Sequence, residues 1–174
     1  MDNTITLTDR RPAPRAAAAA VADAVALQEV IDALNSLIET CADGAYGFAS
    51  CADYSNISRH RTLFRQRARE CDEAGKLLHA LVLSLGGQPA RGGSTSGMLH
   101  RGWVAVRGTL SGLRDQSILA ECERGETVAL ERYRAALGLR LPNDVRTAVQ
   151  QQCRGVETNL DQMQLLREAE KALA

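Results

Sequence analysis

Aromatic side chains are scarce in this sequence: two Phe, three Tyr and one Trp among 174 residues. None is interleaved with basic residues as a platform for stacked bases. An excess of charge is also lacking. Lys plus Arg and Asp plus Glu number 21 each, so no net field draws the chain to phosphate backbones or an anionic membrane. Both absences argue against a nucleic-acid partner. No run approaches the ~20 apolar residues of a membrane span, and no strand-like alternation competes with the helical periodicity. Paired cysteines are missing too. Cys41, Cys71 and Cys122 fall on apolar helical faces, and with Cys51 and Cys153 they make an odd set without a CxxC motif. The expectation is five reduced thiols in a cytoplasmic protein. The N-terminal "RRPAPRAAAAAVADAVAL" resembles an export leader only superficially, because Asp23 interrupts the alanines and the pattern runs on into helix.

What is present is helix, in a length that suits one domain. Residues 1–18, with Pro12, Pro14 and clustered arginines, read as a disordered tail, and 19–174 as the folded unit. Helix A carries Leu27, Ile31, Leu34, Ile38, Cys41, Ala45, Phe48 and Ala52 at alternating four- and three-residue steps, the seam of a bundle helix. It ends near "DYSNIS", where Ser55, Asn56 and Ser58 offer caps. Helix B repeats the pattern through Phe64, Arg67, Ala68, Cys71, Gly75, Leu78, Val82 and Leu85, and stops at Gly86 and Gly87 with Pro89 beyond. A connection of almost thirty residues follows. It is expected to hold a short helix at about 97–108, docked through Met98, Trp103 and Val106 and capped within Ser94 to Ser96. Helix C spans about 115–137, ended by Gly138 and Pro142, and helix D starts near Asn143 with Val145, Val149, Gln152, Val156, Leu160, Met163 and Arg167 on one side. Short A-to-B and C-to-D links make antiparallel hairpins, and the long B-to-C link permits a crossover. The predicted class is all-α, a ferritin-like four-helix bundle whose B-to-C crossover contains a short extra helix.

One carboxylate stands out. In "ILAECERGETVALERY" (118–133), Glu126 lies within roughly 40° of Cys122 and Tyr133 on the apolar stripe, at about 100° per residue. A buried carboxylate needs a partner. Arg67, Tyr133 or Gln152 would supply one without metal, whereas a ferritin-like dimetal centre asks for one inward Glu from each of two helices and Glu-x-x-His from the other two. That set is incomplete. Glu39 points roughly 120° from the helix A seam. Glu70 and Glu73 are followed three residues on by Glu73 and Lys76, and Glu157 by Leu160. His79 sits near the edge of helix B's stripe, as packing histidines do. Glu39, Glu73 and Glu157 read as solvated helix faces.

No Gly-x-Ser-x-Gly elbow or phosphate-cradling glycine loop is present, and the glycines of "GGQPARGG" sit at a helix end, where they mark bends. His100 and Arg101 are two isolated residues in the crossover, suited to capping. Gly75, Gly125 and Gly155 lie inside helices near the inward stripes, at about 1 kcal/mol each relative to alanine, which suggests close approach of another element. Gly44 and Gly47 are expected to face elsewhere, toward the linker helix or another subunit.

The stretches "LNSLIETCADGAYGF", "LHRGW" and "ILAECERGETVALERY" resemble a bacterial family of ferritin-like four-helix-bundle proteins of unknown function, common in Proteobacteria, over residues 30–168. "CERGE" together with "HRGW" carries most of that resemblance. It implies the fold strongly and activity hardly at all, with an accessory or stress-related role as its only functional colouring. Members often carry His-Asp where this chain reads Leu160-Asp161, which removes an imidazole ligand. The expectation is therefore a non-catalytic, self-associating cytoplasmic bundle without a cofactor. The alternative is a carboxylate-bridged iron or manganese protein, its ligands drawn from Glu126, Glu39, Glu70, Glu73, His79 and Glu157 after local rearrangement.

Overall fold

Four helices make up the fold in a computed structural model that describes residues 14–90 and 115–172. They are α1 (Pro14–Tyr54), α2 (Ser58–Ser84), α3 (Asp115–Leu137) and α4 (Asn143–Ala172), and no strand occurs among the described residues. None of these helices is long and apolar enough to cross a membrane. The expected short helix at 97–108, with Met98, Trp103, Val106, His100 and Arg101, lies outside the described residues, as does the start of the tail. The tail boundary at 18 falls inside α1, which begins at Pro14. Proline suits a first helical position, where its missing N–H costs nothing, and the alanines after it are the best helix formers.

Contacts between helices fix their directions. Asn35 donates to the Gln88 carbonyl at 3.1 Å and the rings of Phe48 and Phe64 stand 6.3 Å apart, so α1 and α2 are antiparallel. Tyr133 with Gln152 (2.9 Å) and Glu126 with Asn159 (2.7 Å) make α3 and α4 antiparallel. Arg132 meets Thr40 at 2.8 Å while Asp115 meets Ser55, which sets α3 antiparallel to α1 and hence parallel to α2.

Local chemistry sets the helix ends. At the close of α2, Gly86 adopts φ +76°, a conformation that costs any residue with a Cβ. The Gly86 N–H then reaches the Leu83 carbonyl and the Gly87 N–H the Val82 carbonyl, both at 3.0 Å, a Schellman closure. A Cβ on Gly87 would also lie 2.9 Å from Ile31. The start of α2 differs from expectation, because Ile57 is the N-cap residue and makes no side-chain cap bond. Ser55 instead accepts from the Ile57 N–H at 3.3 Å and donates to Asp115. After α3, the Arg146 guanidinium spans the turn to the carbonyls of Leu137 (3.2 Å) and Leu139 (2.7 Å), supplying donors that the helix end lacks.

The core divides in two. One cluster gathers Leu34, Leu78, Val82, Tyr133, Val145 and Val149, and the other Phe48, Cys51, Phe64, Ile118, Leu119 and Met163. Leu27, expected in the α1 seam, is 40% exposed, because α1 extends beyond its partners there and residues 21–29 are all exposed.

Candidate functional site

Between the two apolar clusters lies a polar layer. Arg67 on α2, Glu126 on α3 and Asn159 on α4 are all buried, and Glu126 is only 2% exposed. Arg67 donates through Nε to Glu126 Oε1 at 2.6 Å and through Nη2 to Oε2 at 3.2 Å, while Asn159 Nδ2 donates to Oε1 at 2.7 Å. This two-pronged fork is the arrangement that planar guanidinium and carboxylate groups favour. Burial pulls the Arg67 guanidinium down, but the Glu126 hydrogen bond together with the charges of Glu126 and its neighbours outweighs it and leaves the group above its ordinary value. Of the three partners expected for Glu126, Arg67 is the one it takes. Tyr133 and Gln152 bond to each other instead, and Gln152 Nε2 continues to the Ala74 carbonyl at 3.2 Å.

Thiols surround this layer. All five cysteines are free and buried. Cys41 Sγ lies 3.3 Å from the Tyr133 hydroxyl, and Cys122 on α3 neighbours Cys51 on α1. Burial pushes the Cys71 thiol up to about 12, and raises Cys41 and Cys122 as well. The same desolvation raises the Tyr133 hydroxyl. These thiols therefore keep their protons near neutrality, the opposite of the lowered pKa that makes a cysteine a nucleophile.

A cavity of about 590 Å³ opens beside the network, with walls from all four helices. Small residues make up much of its wall: Gly44, Gly125 and Gly155 with Ala74, Ala129 and Ala148. A Cβ on Gly155 would meet nothing within 4 Å. Gly44 corrects an expectation, since it faces α2 so closely that a Cβ would lie 2.9 Å from Cys71 Sγ. Gly75 does face inward, 3.3 Å from Cys41 by the same measure.

The other carboxylates disperse around this centre. Glu70 and Glu73 line the same cavity as Glu126, but Glu70 takes Arg67 Nη1 at 3.4 Å and Gln66 at 3.0 Å, and Glu73 is exposed. Glu157 pairs with Arg134 at 2.9 Å near the surface. Glu39 is half-buried on α1, and His79 is exposed at a shallower depression between α1 and α2. Among the described residues no three His, Cys, Asp or Glu side chains converge as a metal-binding group.

Sequence reasoning missed two residues. Asn159 hides in the α4 pattern because the apolar Leu160 beside it looks like the stripe residue, yet Leu160 is only half-buried. His60 is 1% exposed at the first turn of α2. Its Nδ1 lies 3.6 Å from Asp115 Oδ1 and its Nε2 3.7 Å from Glu170 Oε1, and neither nitrogen has a hydrogen-bond partner among the described residues. Its partners come from α3 and α4, so no local signal points to it. No curated protein matches the chain. A family match does cover residues 29–139, which take in α1 from Glu29, α2 and all of α3 with Glu126, and the chain thus belongs to the family described as domain of unknown function (DUF2383).

Proposed function

We propose that the protein is a ferritin-like bundle with an accessory, non-catalytic role, in which the central carboxylate serves internal bonding instead of a dimetal centre. The observation that carries this reading is the double occupation of Glu126: the Arg67 fork takes both of its oxygens, and Asn159 takes Oε1 a second time. A cation at Glu126 would have to displace a buried guanidinium, which would then lose its counter-charge. The ferritin-like topology is supported by the helix directions. With α2 parallel to α3, the link between them must run from the Ala90 end of the bundle, where the Ala90 N–H bonds Asn35 at 2.7 Å, to the Asp115 end beside Ser55. Self-association belongs to the same proposal, and the exposed Val21 and Val25 on the α1 extension support it. The cytoplasmic placement rests on the five buried free thiols, and the stress-related colouring on the family resemblance alone.

Metal analysis of protein purified without chelator, followed by melting with added Fe²⁺ or Mn²⁺, tests the reading. The expected result is no stoichiometric metal and no shift in melting temperature for the wild type or Glu126→Gln. A metal-dependent rise confined to the wild type would overturn it, because only a folded site that binds the ion gains stability by mass action. Iron or manganese binding would then be the function. Its ligands would be Glu126 with members of the set Glu39, Glu70, Glu73, His79 and Glu157, after Arg67 has moved aside.

A further inference from the structure

We infer that the central cavity is a binding site for a small, uncharged, largely hydrocarbon molecule. Its volume of about 590 Å³ falls in the ~300–1,000 Å³ range of pockets that enclose drug-sized ligands. Gly155 lines it, and a Cβ there would meet nothing within 4 Å, so this helix-interior glycine weakens α4 by about 1 kcal/mol relative to alanine and gives no packing in return. A space of this size in a core costs stability, because the surrounding structure relaxes only partly around it, and a guest that fills it recovers the lost contacts.

The wall chemistry selects the guest. Phe48, Leu77, Val128, Ala129 and Val156 present carbon, and the thiols of Cys41, Cys71 and Cys122 are neutral and polarisable. Several polar groups of the wall are committed to one another: Arg67 to Glu126 and Glu70, Tyr133 to Gln152, Gln152 to Ala74, and Arg132 to Thr40. A charged guest would find Arg67 and Glu126 neutralising each other and would lose its hydration without replacement. A hydrocarbon guest gives up little on entering and gains dispersion contacts and burial. Water is the competing occupant, but it needs two to four polar partners, which the stretch of wall made by Phe48, Val128, Ala129 and Val156 does not supply. Leu77, 46% exposed, and Gly155, with open space beside it, both line the cavity and reach the surface.

Fluorescence titration of the full chain with the neutral apolar probe phenylnaphthylamine tests this assignment. Saturable binding at one site per chain is expected, with clearly weaker binding of the anionic anilinonaphthalene sulfonate. Gly155→Phe and Ala129→Leu each put side-chain volume into the cavity and should weaken the neutral probe by about tenfold or more with the melting transition retained. The pair Val21→Lys and Val25→Lys, on the exposed α1 extension, should leave binding unchanged. A second measurement needs no variant: bound probe should slow alkylation of Cys41, Cys71 and Cys122, which line the cavity, and spare Cys153, which does not. The assignment is overturned if the wild type shows no saturable binding, if the anionic dye binds as tightly, if folded cavity-filling variants bind as the wild type does, or if the probe leaves the three thiols unprotected.

Discussion

Glu126 and Arg67 form a charge pair that neither residue can leave alone. Removing one partner strands the other in a dry interior, which typically costs about 3–5 kcal/mol, while replacing both by apolar residues of similar volume is often neutral or stabilising. Glu126→Leu should therefore destabilise by that amount, and Glu126→Gln by less, because the amide still accepts one hydrogen bond from Arg67. Adding Arg67→Met to Glu126→Leu should restore most of the loss. Urea unfolding of the three variants checks this, and purely additive losses in the double variant would mean that the pair is not coupled. The inward position of Glu126 was legible in the sequence because Cys122 and Tyr133 fix the helical phase on both sides of it. Its partner was legible only as one of three possibilities, since phase says which way a side chain points and not which long side chain reaches it. Asn159 and His60 were not legible, because both are polar residues whose burial depends on helices far away in sequence.

Helix boundaries were legible where breakers stand, for the reason that breakers act locally. Gly86 and Gly87 ended α2 where expected, and Gly138 with Pro142 separated α3 (Asp115–Leu137) from α4 (Asn143–Ala172). The φ of +76° at Gly86 makes its identity a requirement of the turn. Gly86→Ala should cost about 1–2 kcal/mol, the penalty of placing a Cβ in left-handed backbone, although no atom stands within 4 Å of the new methyl group. Thermal denaturation would show this as a lower melting temperature, and an unchanged one would mean that the turn relaxes to another geometry. Less legible was the length over which α1 packs. The apolar steps run on through Leu27, yet the neighbouring helices end before it, and periodicity carries no information about where a partner stops. The facing of Gly44 was misread for a related reason: close approach of α1 and α2 widens the contact beyond the narrow seam that the spacing defines.

Across the whole molecule, loop length and helix count were enough to anticipate an all-helical bundle of two antiparallel hairpins. The central cavity could not be anticipated, because it arises only where small residues of four helices meet. That centre also ties the stability of the bundle to alkaline pH. Cys71, Cys41, Cys122 and Tyr133 are all held above their ordinary values by burial, so the folded core tolerates only their neutral forms. Below the ordinary thiol value of 9.0 the folded and unfolded chains both keep the Cys71 proton, and its titration does not affect their balance. Between 9.0 and about 12 the unfolded chain releases that proton while the folded chain retains it. The unfolded state then binds fewer protons, and stability falls by about 1.4 kcal/mol per pH unit for each such group. Urea unfolding at about pH 8 and again above about pH 10 should therefore reveal a steep loss in the wild type. In Cys71→Ala the starting stability should be lower, because the core loses a packed sulfur, but the fall with pH should be shallower by the share of one group. Equal slopes in the two proteins would show that Cys71 ionises as readily folded as unfolded, and that water reaches the polar layer between the two halves of the core.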